Sequence, residues 1–153
     1  LCSIANIKLV HVPYKGTGQS MVDLVAGHVQ MQLSSMPAAI QHVRTGRLRM
    51  IAQTGKTRSS AAPETPTMVE SGLPGFVVSS GFGLFAPADT PRAIVERIHA
   101  ALVRALNDAA VKENLSKQGA EVVASTPDEY GEFNRAEIDK WIKVVAQAGI
   151  ALE

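Results

Sequence analysis

The stretch Lys8-Leu9-Val10-His11-Val12-Pro13-Tyr14-Lys15-Gly16-Thr17-Gly18 decides how this chain is read. Lys8 to Val12 alternates and carries β-branched residues, the pattern of a strand. Pro13 ends the run, and Gly16-Thr17-Gly18 makes a tight turn. A helix follows, with Thr17 or Ser20 as its cap, Met21, Val22, Leu24 and Val25 as its apolar face, and Gly27 as its stop. A strand that turns through glycines into a helix is the opening unit of an α/β fold.

The unit repeats outward from there. Val29 to Leu33 reads as a second strand. Ser34-Ser35 then opens a helix with Pro37 in its first turn, running to about Arg44 and stopped by Gly46. Leu48 to Gln53 is a third strand. This order predicts a parallel-rich sheet flanked by helices, with right-handed crossovers. Thr54 to Gly75 is dense in Ser, Pro and Gly and reads as an irregular connection, with a short helix around Thr67 to Ser71. Val77 to Phe85 is a strand whose Gly81 and Gly83 mark a bend or the close approach of another group.

The rest is mostly helical. Thr90-Pro91 starts a helix to about Asn107, with Thr90 as cap. A second runs from Ala109 to Gln118, and Gly119 ends it. Glu121 to Ala124 is a short strand. Thr126 and Glu129 stand at capping-box spacing before the last long helix, which Ala148-Gly149 closes. Leu1, Ile4 and Ile7 look like the tail of a helix, so the chain is expected to start inside a longer protein.

Bulk composition narrows the function. In 153 residues, 46% are hydrophobic and 19% charged, enough for a packed core and unlike a disordered chain. The formal net charge of +1 offers no footprint for nucleic acid. No apolar run approaches the roughly 18 residues of a membrane helix. Cys2, the one cysteine, has no partner for a disulfide or a CxxC site and reads as a buried small hydrophobe or an end effect.

His11, His28, His42 and His99 form neither HxxxH nor HExxH, so no metal is expected. His11 reads as a packing residue, His28 as a surface residue, and His42 and His99 as members of exposed helix faces. No serine lies in GxSxG, and no acid, base or nucleophile converges with another. The chain is therefore expected to be no enzyme, with no catalytic residue and no cofactor.

Two turns remain as candidates for binding. Tyr14, Lys15, Gly16, Thr17 and Gly18 precede a helix start, where free N–H donors and the helix dipole attract an anion such as a carboxylate. The Lys-Ser/Thr ending of a nucleotide-binding P-loop is missing. Ser34 and Ser35 have the same placement, after a strand and before a helix. Taken alone, each is also an ordinary strand-to-helix turn, and the serines are also plain caps. Taken together, turns at the carboxyl ends of neighbouring parallel strands converge on one crevice.

The order of motifs resembles the Bug-type receptors of tripartite tricarboxylate transporters. The likeness lies in His11-Val12-Pro13-Tyr14-Lys15-Gly16-Thr17-Gly18, Asp23-Leu24-Val25-Ala26-Gly27-His28-Val29, Pro37-Ala38-Ala39-Ile40 and Gly46-Arg47-Leu48-Arg49. It continues through Pro63 to Gly75, Phe82 to Pro91, Trp141 to Val145 and Ala148-Gly149-Ile150. The resemblance implies a two-lobed, periplasmic-binding-protein-like receptor about twice this length. Residues 1–80 would be part of the second ligand-binding lobe. Residues 81–153 would be a crossover strand and C-terminal helices that return to the first lobe, which this chain does not contain. The ligand would be a small carboxylate and the partners the membrane subunits of a transporter, in the periplasm.

Two departures from the family pattern bear on the ligand. The family often has Asp-Asn where Ser34-Ser35 stand, so an amino-acid ligand is disfavoured here. It often has Trp where Gly81 stands, so a bulkier ligand is admitted. The alternatives are an effector-binding sensor domain and a fragment without binding of its own. Pairing of two copies over exposed apolar surface is a further expectation.

Overall fold

A computed structural model describes residues 1–149; Ile150, the last residue of the resemblance, lies outside them. Among the described residues there are six helices: α1 (Cys2–Ala5), α2 (Thr17–Ala26), α3 (Met36–Arg44), α4 (Arg92–Asn107), α5 (Ala109–Lys117) and α6 (Pro127–Ala148). The chain divides into two compact units. One holds Leu1–Gly81 with Glu113–Glu121, the other Phe82–Lys112 with Val122 onward.

In the first unit, α2 packs on α3. Met21 and Ile40, one from each helix, are buried. Gly27, at φ 80°, ends α2 as expected. His28 N–H donates to the Asp23 carbonyl at 2.9 Å and Gly27 N–H to that of Leu24 at 3.1 Å, the paired bonds of a Schellman closure. Gly46, at φ 71°, follows Thr45 and closes α3. The N-terminal turn is only Cys2–Ala5, because Asn6 turns left-handed at φ 50° and leaves Ile7 outside it. Cys2 is exposed, not buried.

The irregular connection carries the greatest surprise. Five of the eight buried residues among those described lie between Gln53 and Phe76: Gln53, Ala62, Thr65, Thr67 and Phe76. Gln53 organises them. Its side-chain Nε2 donates to the carbonyls of Ala62 (2.7 Å) and Thr65 (2.9 Å), and its Oε1 accepts from Ser59 N–H at 2.8 Å. Its backbone N–H donates to Pro66 O at 2.8 Å and its carbonyl accepts from Met68 N–H at 2.7 Å, a parallel bridge to Thr67. The expected helix at Thr67 to Ser71 is a turn. Thr67 and Glu70 bond each other reciprocally there, N–H to carboxylate at 2.7 Å and N–H to hydroxyl at 3.1 Å. Arg58 Nε, 2.9 Å from Glu70 Oε2, is the main reason that carboxyl is held below its usual range.

In the second unit, α4 and α6 pack together. The capping box at Thr126 and Glu129 is present, with Thr126 N–H to Glu129 Oε2 at 2.8 Å and Glu129 N–H to Thr126 Oγ1 at 3.3 Å. Gly149, at φ 63°, is the left-handed stop. Thr90 does not cap α4. Pro91 takes the N-cap position at ψ 136°, and the helix begins at Arg92. Asp108 instead caps α5, accepting from Ala110 N–H at 3.0 Å and Val111 N–H at 3.1 Å. Gly83 does mark a close approach: a Cβ there would overlap the Tyr130 ring. Tyr130 stands 5.7 Å from Phe85 and 6.1 Å from Phe133, ring centre to ring centre. Arg92 makes a two-pronged contact with Asp128, both bonds 2.9 Å, joining α4 to α6. Hydrogen bonding from Arg92 is what chiefly depresses the Asp128 carboxyl.

None of the five segments expected as strands pairs in a ladder among the described residues. A strand is held by hydrogen bonds to a neighbour rather than by its own residues. Gln53, at the end of the third segment, is buried, but several apolar side chains stay outside: Val10 is 93% exposed, Ile51 75% and Phe82 78%. His11, expected to pack, is exposed as well. The chain exposes 11433 Å² for 16.2 kDa. A folded monomer of that mass exposes about 7,500 Å², and two separate units of half the mass about 9,000 Å² in all. The chain exposes more surface than either.

Candidate functional site

The site is built around the start of α2. Gly16 is the N-cap residue in extended conformation, with no side-chain cap. The first amide to enter the helical ladder is that of Ser20, donating to Gly16 O at 3.5 Å. The amides of Thr17, Gly18 and Gln19 thus precede the ladder, as the first N–H groups of any helix do. Neither Thr17 nor Ser20 caps the helix. Ser20 is buried inside it, and its hydroxyl donates backward to Thr17 O at 3.1 Å. A Cβ placed on Gly16 or Gly18 would meet nothing within 4 Å. Residues 15–19 are exposed, and unladdered backbone donors at a helix N-terminus suit a carboxylate. Lys15 is exposed beside them and forms no ion pair among the described residues.

Tyr14 points elsewhere. Its hydroxyl donates to Asp23 Oδ2 at 2.7 Å, and His28 Nδ1 lies 3.3 Å from Asp23 Oδ1. The bond to Tyr14, then that to His28, holds the Asp23 carboxyl below the usual range, and the same bond raises the Tyr14 phenol. His28 is a surface residue as expected, but a tethered one. Sequence reading missed Asp23, because a contact between residues nine apart follows no helical or strand period.

Ser34 is exposed and Ser35 half-buried, at the start of α3. Ser35 is the N-cap residue, yet its hydroxyl makes no cap bond, so capping does not account for it. Pro37 in the first turn brings no N–H of its own. Both candidate turns lie in one unit and open two helices that pack on each other. No hydrogen bond joins the serines to Tyr14–Gly18 among the described residues. Gln32 Oε1 and His42 Nδ1 are buried without a partner, one just before the serine turn and one within α3. His42 and His99 are half-buried rather than exposed, and His99 Nε2 is 3.1 Å from Ser125 O.

Among the described residues no group of three or more His, Cys, Asp or Glu could hold a metal, and no helix is long and apolar enough to cross a membrane. The fold is that of periplasmic binding proteins. The chain superposes on Rpa4515 of R. palustris with adipate (TM-score 0.92, 31% identity, 98% of this chain and 50% of that one). It matches the periplasmic binding protein BugD (TM-score 0.90, 28% identity, 99% and 52%). It also matches MatC from Rhodopseudomonas palustris with bound malate (TM-score 0.87, 33% identity, 94% and 50%). Protein BugT of Bordetella pertussis is 39% identical over 142 residues, 93% of this chain and 44% of that protein.

The chain belongs to the tripartite tricarboxylate transporter family receptors, which it matches over residues 1–150. It spans about half the length of the BugT relative and of these structures.

Proposed function

We propose that this chain is part of a two-lobed periplasmic receptor that captures a small carboxylate and presents it to the membrane subunits of a tripartite transporter, without catalysis. The observation that carries this reading is the row of amides at Thr17, Gly18 and Gln19, outside the helical ladder and on exposed residues. Adipate in Rpa4515 and malate in MatC supply the ligand class. A carboxylate held by fixed N–H donors needs no titrating side chain, and such preorganised donors lose little entropy on binding.

Residues 1–80 form the ligand lobe in this account, with Ser34 and Ser35 on the same crevice. Residues 81–153 cross to the other lobe. The segments at 8–12, 29–33, 48–53 and 77–85, several of whose apolar side chains are exposed, pair with strands from the remainder of the receptor in this account. Serines at 34 and 35 leave no carboxylate to pair with an amino group, so plain di- and tricarboxylates are preferred over amino acids. Gly81 leaves room for a bulkier ligand.

Gly18→Val tests the amide row. Its Cβ meets nothing within 4 Å, so the fold is retained, while the branched side chain adds bulk to the turn that carries the donors. Affinity of the full gene product for adipate, read by calorimetry, is expected to fall about tenfold or more, or roughly 1.4 kcal/mol. Unchanged affinity would remove the amides from the site.

A further inference from the structure

One carboxylate ties down both ends of α2. Tyr14 lies before the helix, and its phenol reaches Asp23 in the helix at 2.7 Å. His28 lies beyond Gly27, and its ring reaches the other oxygen of the same carboxylate at 3.3 Å. His28 is also bound through its backbone, donating to the Asp23 carbonyl at 2.9 Å. Tyr14 is two residues from the N-cap Gly16, so anchoring its ring restricts the path by which Lys15 and Gly16 enter the helix. The conformation of Gly16 in turn sets the direction of the Thr17, Gly18 and Gln19 amides.

We propose that Asp23 is a positioning residue for the anion-binding turn, acting through Tyr14 and never touching the ligand. This rests on the receptor reading above. Simple electrostatics predicts the opposite effect. A negative charge near an anion site weakens binding, so its removal would tighten it. A positioning role requires that removal loosen it. The two accounts therefore differ in sign.

The test has two readouts. Without ligand, amide hydrogen exchange is followed at residues 20–22, the first hydrogen-bonded amides of α2, in this chain and in Asp23→Ala, Tyr14→Phe and the double variant. Each single change is expected to speed exchange there by about tenfold as local opening becomes easier. The double variant is expected to add nothing further, because both changes delete one contact. Asp23→Asn keeps an acceptor for the phenol and is expected to retain protection. Exchange in the Gln53–Phe76 region serves as the control for general destabilisation and is expected not to move. In Asp23→Ala the Tyr14 phenol also ionises at lower pH than in the parent, which reports that the bond is made in the parent in solution.

With ligand, the affinity of the full gene product for adipate and malate is expected to fall about tenfold in Asp23→Ala and Tyr14→Phe alike. Unaltered exchange at 20–22, or tighter binding in Asp23→Ala, overturns the proposal while leaving the receptor reading in place. Lost protection in a protein whose parent binds no dicarboxylate upholds the tether and overturns the receptor reading.

Discussion

Gln53→Leu is expected to lower the unfolding free energy by about 3 kcal/mol, read as a lower urea midpoint at unchanged slope. Leucine fills a similar volume, so the cost is polar rather than a cavity. The buried amide of Gln53 makes two donations and accepts once, to Ala62, Thr65 and Ser59. Leucine would leave the Thr65 carbonyl and the Ser59 N–H without these partners, while Ala62 O keeps the Thr65 N–H at 3.2 Å. Each such orphan costs roughly 1–3 kcal/mol when water cannot reach it, and less where it can. Gln53 is 6% exposed, so water recovers little at the centre of this cluster. Domains are stable by only about 5–15 kcal/mol, and few apolar side chains in this unit are buried. A loss below about 1 kcal/mol would show that the connection is held by something other than this amide.

Gly119→Ala is expected to cost about 2–5 kcal/mol, from two separable causes. Gly119 sits at φ 74°, a left-handed conformation that costs a residue with a Cβ about 1–2 kcal/mol. It closes α5, its N–H donating to Ser116 O at 2.8 Å while Ala120 N–H donates to Leu115 O at 2.9 Å. The added Cβ would also overlap Met36 near its backbone and come within 3.2 Å of the Ala61 Cβ. Overpacking of this kind costs about 1–3 kcal/mol. Met36 is the first residue of α3, so the displacement acts beside Ser34 and Ser35. Met36→Ala in the same chain is expected to recover the packing share and leave the backbone share. Thermal unfolding of the two single variants and the double one measures both. Full additivity would contradict the contact.

What the sequence made legible is what local chemistry decides. The capping box at Thr126 and Glu129 and the left-handed stops at Gly27, Gly46, Gly119 and Gly149 were readable because each bond closes within a few residues. The start of α4 was displaced by one residue, since Pro91 itself takes the cap position. The Thr54 to Gly75 connection looked irregular because Ser, Pro and Gly announce turns. Its order comes from one glutamine, whose partners span from Ser59 to Met68 and follow no period. Ladders could not be read from alternation alone, because alternation describes a residue's faces and not its neighbour. Of the candidate site, the anion-ready turn at Gly16 to Gly18 was visible as a glycine pattern before a helix. The Asp23 tether was not visible, although Tyr14, Asp23 and His28 all stood in the motifs that carried the family resemblance.

Thermal unfolding against a panel of mono-, di- and tricarboxylates tests the central claim most directly. A ligand that binds the native state raises Tm by mass action, by an amount that grows with ligand concentration. The full product of this gene is expected to be stabilised by one class of plain carboxylate, and neither by amino acids nor by chloride at matched ionic strength. A protein whose Tm responds to no carboxylate would contradict the account.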